Sequence, residues 1–286
     1  MKDRIDPLIA ERAPWMYRQF PGVRQIRGLL HLSLAYDKTL KIARGFEHMA
    51  SAQIMAQMGG LLAKDVVATG LGHIPRHGAA IIVANHPTGI ADGVILHHLL
   101  AAMRPDAYYF ANSDILRVLP QMSDMICPVE WRQDKRSHAK TRDTMAYVRA
   151  ATDEGRLGVI FPSGRLAKRR GLKLEERPWM ASAAMLARKF DLPVIPVHIA
   201  ARNSALFYLF DLLHPTLRDV TLFHETLNKA QQPFRINVGE PIAASALPKN
   251  SEDGIKMLRR ATLALAGEDA PNVSLIRATR RPLLKL

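Results

Sequence analysis

The stretch IIVANHPTGIADGVIL, residues 81–96, decides the fold. Ile81 to Ala84 form a short continuous apolar run, the pattern of a strand buried on both faces. The run ends in Asn85-His86, passes through the turn-forming residues Pro87, Thr88 and Gly89, and reaches Asp92 at the start of a predicted helix over about 92–103. Strand, turn and helix in that order are an α/β unit. The turn falls at the carboxyl end of the strand, where such folds present reactive groups.

Working outward, short apolar runs bounded by turn residues recur from Asp65 onward. DVVAT (65–69), AAIIVA (79–84), AYYFA (107–111), ICPVE (126–130), LGVIF (157–161), PVIPVHI (193–199), VTLF (220–223) and FRINV (234–238) read as strands. Helical segments fit between and after them at about 138–154, 178–190 and 252–267, the second opening with Pro178, whose missing amide donor costs little there. Upstream, apolar residues at helical spacing between Val23 and Leu62 predict two amphipathic helices. In the first, Ile26, Leu29, Leu30, Leu32 and Leu34 are interleaved with Arg24, Arg27 and His31, which suits either a bilayer interface or packing on the core. The predicted class is α/β: a mixed, mostly parallel sheet flanked by helices, with an N-terminal amphipathic helical pair. Residues 1–64 are expected to form the helical region in contact with a membrane surface, 65–245 the α/β domain, and 246–286 a C-terminal helix and basic tail.

At 286 residues, with 48% hydrophobic and 23% charged side chains, the chain has the composition of an ordinary globular protein rather than a disordered one. Its 40 Lys and Arg against 26 Asp and Glu leave a formal charge of +14, which attracts something anionic: nucleic acid, acidic lipid or an acidic carrier protein. A lone cysteine, Cys127, excludes an internal disulfide framework and a thiolate metal cluster and reads as a core residue. The N-terminal stretch carries charges throughout, so no secretory signal is expected, and no window is apolar enough to span a bilayer. Membrane contact is therefore expected to be peripheral.

His86 and Asp92 are the candidate catalytic pair. An imidazole near neutral pKa can take a proton from an attacking hydroxyl, and a carboxylate on its other nitrogen fixes the tautomer and stabilises the imidazolium. The same residues would also serve as a helix cap and a packed turn. A second strand-to-turn passage, LGVIFPSGRLAKRR (157–170), places Ser163, Gly164 and Arg165 in a turn that suits an anionic group. Ser163 lacks the glycine two residues earlier that a nucleophile elbow needs, which argues against a serine mechanism. A nucleic-acid module would need stacking aromatics among its cations, and aromatics are only 6% of the chain. A basic lipid-binding surface without catalysis is the remaining alternative.

Four ordered blocks in roughly residues 65–245 resemble the glycerolipid acyltransferase family typified by lysophosphatidate acyltransferase. Asn85, His86 and Asp92 resemble its His-x4-Asp block, YYFANSDIL with ICPVEW the second, Phe161-Pro162-Ser163-Gly164 the third, and Pro193 to Val197 the fourth. The resemblance implies direct attack of an acceptor hydroxyl on an acyl thioester, with His86 and Asp92 catalytic and Asn85, Ser163, Gly164 and Arg165 binding substrate. Backbone amides near Gly164 are candidates for the oxyanion, and Met122, Met125 or Trp131 for an acyl channel. It further implies no bound cofactor or metal, acyl-CoA or acyl carrier protein as donor, a lyso-lipid acceptor, and peripheral placement on the anionic cytoplasmic face of the inner membrane. No nucleic-acid partner follows.

The sequence departs from that pattern. Five residues, not four, separate His86 from Asp92. Leu166 stands where the third block carries Arg, Ser163 where it carries Glu, and Asn112 and Ser113 where phosphatidate-forming members tend to carry Lys. With ARNSALFYLFDLLHP (201–215) and ETLNKAQQPFRINVGEPI (225–242), these departures resemble the hemolysin-like and lyso-ornithine lipid acyltransferase branch. Its acceptor need not be a phosphate monoester, so two acceptors are expected: a lyso-lipid without a terminal phosphate, such as a lyso-ornithine lipid, or lysophosphatidate, which would give phosphatidate.

Overall fold

The computed structural model describes residues 1–19, 21–130 and 137–279. The helices are α1 (Lys2–Arg12), α2 (Val23–Ser33), α3 (Tyr36–Gly45), α4 (Ser51–Leu62), α5 (Ile90–Leu100), α6 (Asp114–Val118), α7 (His138–Asp153), α8 (Ser182–Lys189), α9 (Ala205–Leu213), α10 (Pro215–Leu227) and α11 (Ser251–Ala264). The strands are β1 (Val66–Thr69), β2 (Ala80–Ala84), β3 (Tyr108–Asn112), β4 (Ile126–Val129), β5 (Leu157–Ile160), β6 (Lys168–Arg170), β7 (Lys173–Glu175), β8 (Val194–Ala200), β9 (Phe234–Val238) and β10 (Val273–Ser274). Seven strands form one sheet in the order β1-β9-β8-β2-β5-β3-β4, and β10-β7-β6 form a small second sheet. Every neighbouring pair of the large sheet is parallel except β8 with β9.

The central strands β2 and β5 are buried along their whole length, which is why their sequences are continuous apolar runs, whereas β9 alternates. Successive residues of β2 face opposite ways. Ala80, Ile82 and Ala84 join a cluster with Leu8, Leu30, Ile54, Leu62 and Ile95, so α1, α2, α4 and α5 cover one face. Ile81 and Val83 join Val148, Leu186 and Leu258, so α7, α8 and α11 cover the other. Cys127 lies in this second cluster, and burial pushes its thiol up to about 12. Met122 and Met125 are buried in the first cluster as core.

Three sequence expectations change. The stretch VTLF (220–223) lies within α10, not in a strand. Thr221, Glu225 and Lys229 are all fully buried at intervals of four, a helical stripe hidden because its buried members are polar. The second N-terminal helix is split into α3 and α4, and α1 lies ahead of them. Gly45 ends α3, and the backbone amide of Ala50 restarts the chain by donating to Gln53 Oε1 at 3.2 Å. The helix expected from Pro178 begins instead at Ser182. Trp131, residues 133–136 of the basic cluster in 133–142 and the tail 280–286 lie outside the described residues. Among the described residues, no helix is long and apolar enough to cross a membrane.

Candidate active site

The parallel strands β2, β5 and β8 bring their carboxyl ends to one edge of the sheet. Asn85 follows β2 directly and is buried, and its side chain pairs across to β8 in both directions. Its Nδ2 donates to the Ile199 carbonyl at 2.9 Å and its Oδ1 accepts from the Ile199 amide at 2.7 Å. This clamp extends the strand pairing by one side chain and fixes where His86 leaves the sheet.

The next turn aims a carboxylate at the imidazole. Asp92, fully buried in the first turn of α5, accepts the backbone amides of Thr88 at 2.9 Å and Gly89 at 3.0 Å, and also the Thr88 hydroxyl. These donors satisfy amides that a helix start leaves open. They also hold the carboxylate beside His86, whose Nδ1 lies 3.0 Å from Asp92 Oδ2 at a bent angle. The extra residue between His86 and Asp92 is absorbed at Gly89, with φ 101° and ψ −134°, a backbone conformation that side chains avoid. With Nδ1 turned to the carboxylate, Nε2 is the nitrogen left to face a substrate. The His86 side chain retains 19% exposure and stacks on Phe161, with centroids 4.4 Å apart.

The segment after β5 closes on both sides of the His86 backbone. The His86 amide donates to Glu176 Oε2 at 3.2 Å, and its carbonyl accepts from the Ala167 amide at 2.9 Å. Glu176 is itself buried and takes the Trp179 indole N–H at 2.9 Å. Burial pushes its carboxyl above the usual range, opposed by the hydrogen bonds it accepts from Trp179 and the His86 amide. Glu176 escaped sequence reasoning because it sits in the charged run KLEERP, which looks like solvated surface. Phe161 was visible only as part of a block, and nothing marked its ring as the stacking partner of His86.

The other expected site residues divide. Ser163 is buried and donates to the Arg165 carbonyl at 2.8 Å. Gly164 has φ 59°, and its amide already donates to the Phe161 carbonyl at 2.9 Å, so this particular N–H is committed to the turn. Arg165 is exposed. Asn112 is spent on an internal turn, with its Oδ1 accepting the Asp114 amide at 3.0 Å. Among the described residues, no group of three or more His, Cys, Asp or Glu side chains is arranged to hold a metal ion.

Comparison with known proteins gives the class of this α/β fold, an acyl-transfer enzyme. Residues 65–200 match the family described as Acyltransferase. A lyso-glycine lipid O-acyltransferase of Phocaeicola vulgatus is 25% identical over 246 residues, covering 83% of this chain and 85% of that protein. One from Bacteroides thetaiotaomicron is 22% identical over 254 residues, covering 86% and 90%. The crystal structure of the 1-acyl-sn-glycerophosphate acyltransferase PlsC from Thermotoga maritima shares the fold, with a TM-score of 0.50 at 15% identity over 86% of this chain and 98% of that one. The protein is an O-acyltransferase. Across its matched domain and its curated relatives it is similar to the glycerolipid and lysophospholipid acyltransferases.

Proposed function

We propose that this enzyme moves a fatty acyl group from a thioester, acyl-CoA or acyl carrier protein, to the hydroxyl of a lyso-lipid whose headgroup is an amino acid. His86 acts as general base and Asp92 as its partner. The observation that carries the reading is the fully buried Asp92 carboxylate, held by three donors of its own turn, 3.0 Å from His86 Nδ1. The acceptor hydroxyl gives its proton to His86 Nε2 as its oxygen bonds to the thioester carbonyl carbon. The C–S bond then breaks, and the thiolate leaves with the proton from the imidazolium. Asp92 stays ionised throughout and stabilises the transient cation. Such base catalysis is worth about 10²- to 10⁴-fold.

Two features favour an amino-acid headgroup over a phosphate monoester. Both curated relatives are named for a lyso-glycine lipid. Leu166 and the turn-bound Asn112 also stand where phosphate ligands are expected. Residues 65–245 carry this chemistry in our reading, and the N-terminal helices meet the membrane. In support, α2 buries Leu30 inward, as its C-cap Leu34 is buried, while Ile26, Leu29 and Leu32 are 48%, 67% and 80% exposed. The exposed cations Arg24, Lys38, Lys41 and Arg44 lie on the same helix and the next, as an anionic leaflet on the cytoplasmic side would require. The donor's negative charge suits the same basic surface.

The test is transfer of a labelled acyl group from acyl-CoA and from acyl carrier protein to a panel of lyso-lipids, with wild type beside folded His86→Ala and Asp92→Asn variants. Both variants are expected to lose at least about 10²-fold in kcat. Transfer that persists without His86 would refute the assignment.

A further inference from the structure

The loop after β8 lies at the same sheet edge as His86, because β8 runs parallel to β2 and pairs with it directly. Its backbone is anchored at three successive residues. The Arg202 carbonyl accepts from Lys229 Nζ at 3.3 Å, the Asn203 amide donates to the Tyr208 hydroxyl at 3.1 Å, and the Ser204 amide donates to Glu225 Oε2 at 2.8 Å. Glu225 and Lys229 form a buried ion pair at 3.0 Å. Burial raises the carboxyl of Glu225, but Lys229 and the Ser204 donors outweigh it and hold it below the ordinary range.

Two side chains of this anchored loop are left unmatched, whereas the Ser204 hydroxyl pairs with Glu225. Asn203 is fully buried, yet among the described residues neither its Nδ2 nor its Oδ1 has a partner. Among the described residues Arg202 Nε is buried without a hydrogen-bond partner, and the guanidinium makes one long hydrogen bond, from Nη1 to the Asn203 carbonyl at 3.5 Å. A buried polar group left unpaired is destabilising, so two neighbours of this kind on an anchored loop call for an explanation.

We infer that Arg202 and Asn203 form the headgroup site of the acceptor and recognise an N-acylated amino acid through its carboxylate and its adjacent amide N–H. The Nε–H and Nη–H edge of a guanidinium matches the two oxygens of a carboxylate side by side. Asn203 Oδ1 supplies an acceptor for the amide N–H on the far side of the ligand's Cα, which a phosphate monoester lacks. The start of α9, immediately after Ser204, adds the positive end of a helix dipole. The inference rests on the amino-acid acceptor proposed above and assigns the residues that select it.

The experiment uses the full-length enzyme and three probes without an acceptor hydroxyl: N-decanoylglycine, its methyl ester and its N-methyl analogue. Binding is measured by titration calorimetry. Wild type is expected to bind the free acid at least 10-fold more tightly than either analogue. Arg202→Gln should erase the preference over the ester, Arg202→Lys should restore part of it, and Asn203→Leu should erase the preference over the N-methyl compound. Thermal melts confirm that each variant is folded. Acyl transfer to a hydroxyacyl amide of glycine is followed in parallel, where Arg202→Gln should raise KM at least 10-fold with kcat nearly unchanged. If wild type transfers to this acceptor but Arg202→Gln keeps the acid-over-ester preference, the site assignment falls and the function stands. If wild type shows that preference through Arg202 yet transfers nothing to the hydroxyacyl amide, the proposed function falls and the site stands.

Discussion

Substituting two glycines four residues apart should move stability in opposite directions. Gly89 takes up the extra residue between His86 and Asp92 at φ 101° and ψ −134°, and a Cβ there would lie 3.3 Å from Leu166 Cδ2. Holding alanine in so sparsely populated a conformation costs about 2–3 kcal/mol, and displacing the Leu166 tip adds a few tenths. The stiffer unfolded chain returns about 0.4–1 kcal/mol, leaving Gly89→Ala less stable by about 2 kcal/mol, or roughly 5 °C in Tm. Gly93 lies inside α5, where a Cβ would meet Tyr109 and Phe161 at the ordinary distances of 3.8 and 3.9 Å. Gly93→Ala should therefore gain about 0.5–1 kcal/mol from helix propensity. Thermal melts of the two variants beside wild type measure the gap, and acyl transfer at a temperature where all are folded measures the site. Gly89→Ala should lose at least about 10-fold in kcat, because relaxing the turn moves the Thr88 and Gly89 amides that aim Asp92. Melts that shift together, or a Gly89→Ala enzyme of full stability and activity, would refute this account of the turn.

Two further outcomes follow from other parts of the molecule. His198 on β8 is buried with neither ring nitrogen partnered, and burial lowers its pKa to about 4. The unfolded chain, with an ordinary histidine near 6.5, therefore takes up the proton first as pH falls. Stability from this residue is full above about 6.5 and is lost towards 4, amounting to about 2 kcal/mol between pH 7.5 and 5. Urea unfolding of His198→Leu should show a pH dependence shallower than wild type by that amount, and parallel curves would contradict it. On α2, Leu29→Ser with Leu32→Ser should leave the Tm nearly unchanged, since both side chains are exposed, while weakening co-sedimentation with anionic vesicles several-fold. Undiminished sedimentation would remove α2 from the membrane contact.

The sheet was legible because its central strands are buried on both faces and so read as unbroken apolar runs. The proximity of His86 and Asp92 was legible for a local reason, since both belong to one strand–turn–helix passage. What escaped were arrangements in which polar residues are buried. The stripe Thr221, Glu225 and Lys229 looks solvated to any hydrophobic pattern, so the letters VTLF around Thr221 read as a strand and α10 went unseen. Glu176 was hidden in the same way, because a charged run gives no sign that one carboxylate turns inward to hold a backbone amide 90 residues earlier. The split between α3 and α4 rests on a cap at Ala50 and Gln53, a single hydrogen bond that periodicity does not register.

The clamp between Asn85 and Ile199 joins residues 114 positions apart, and the hold on His86 comes from 90 positions downstream. During synthesis, therefore, the histidine and aspartate emerge long before the strand and turn that frame them. A nascent chain that has reached Asp92 has the pair but not the scaffold, and only when β8 has been made and docked can the imidazole be fixed.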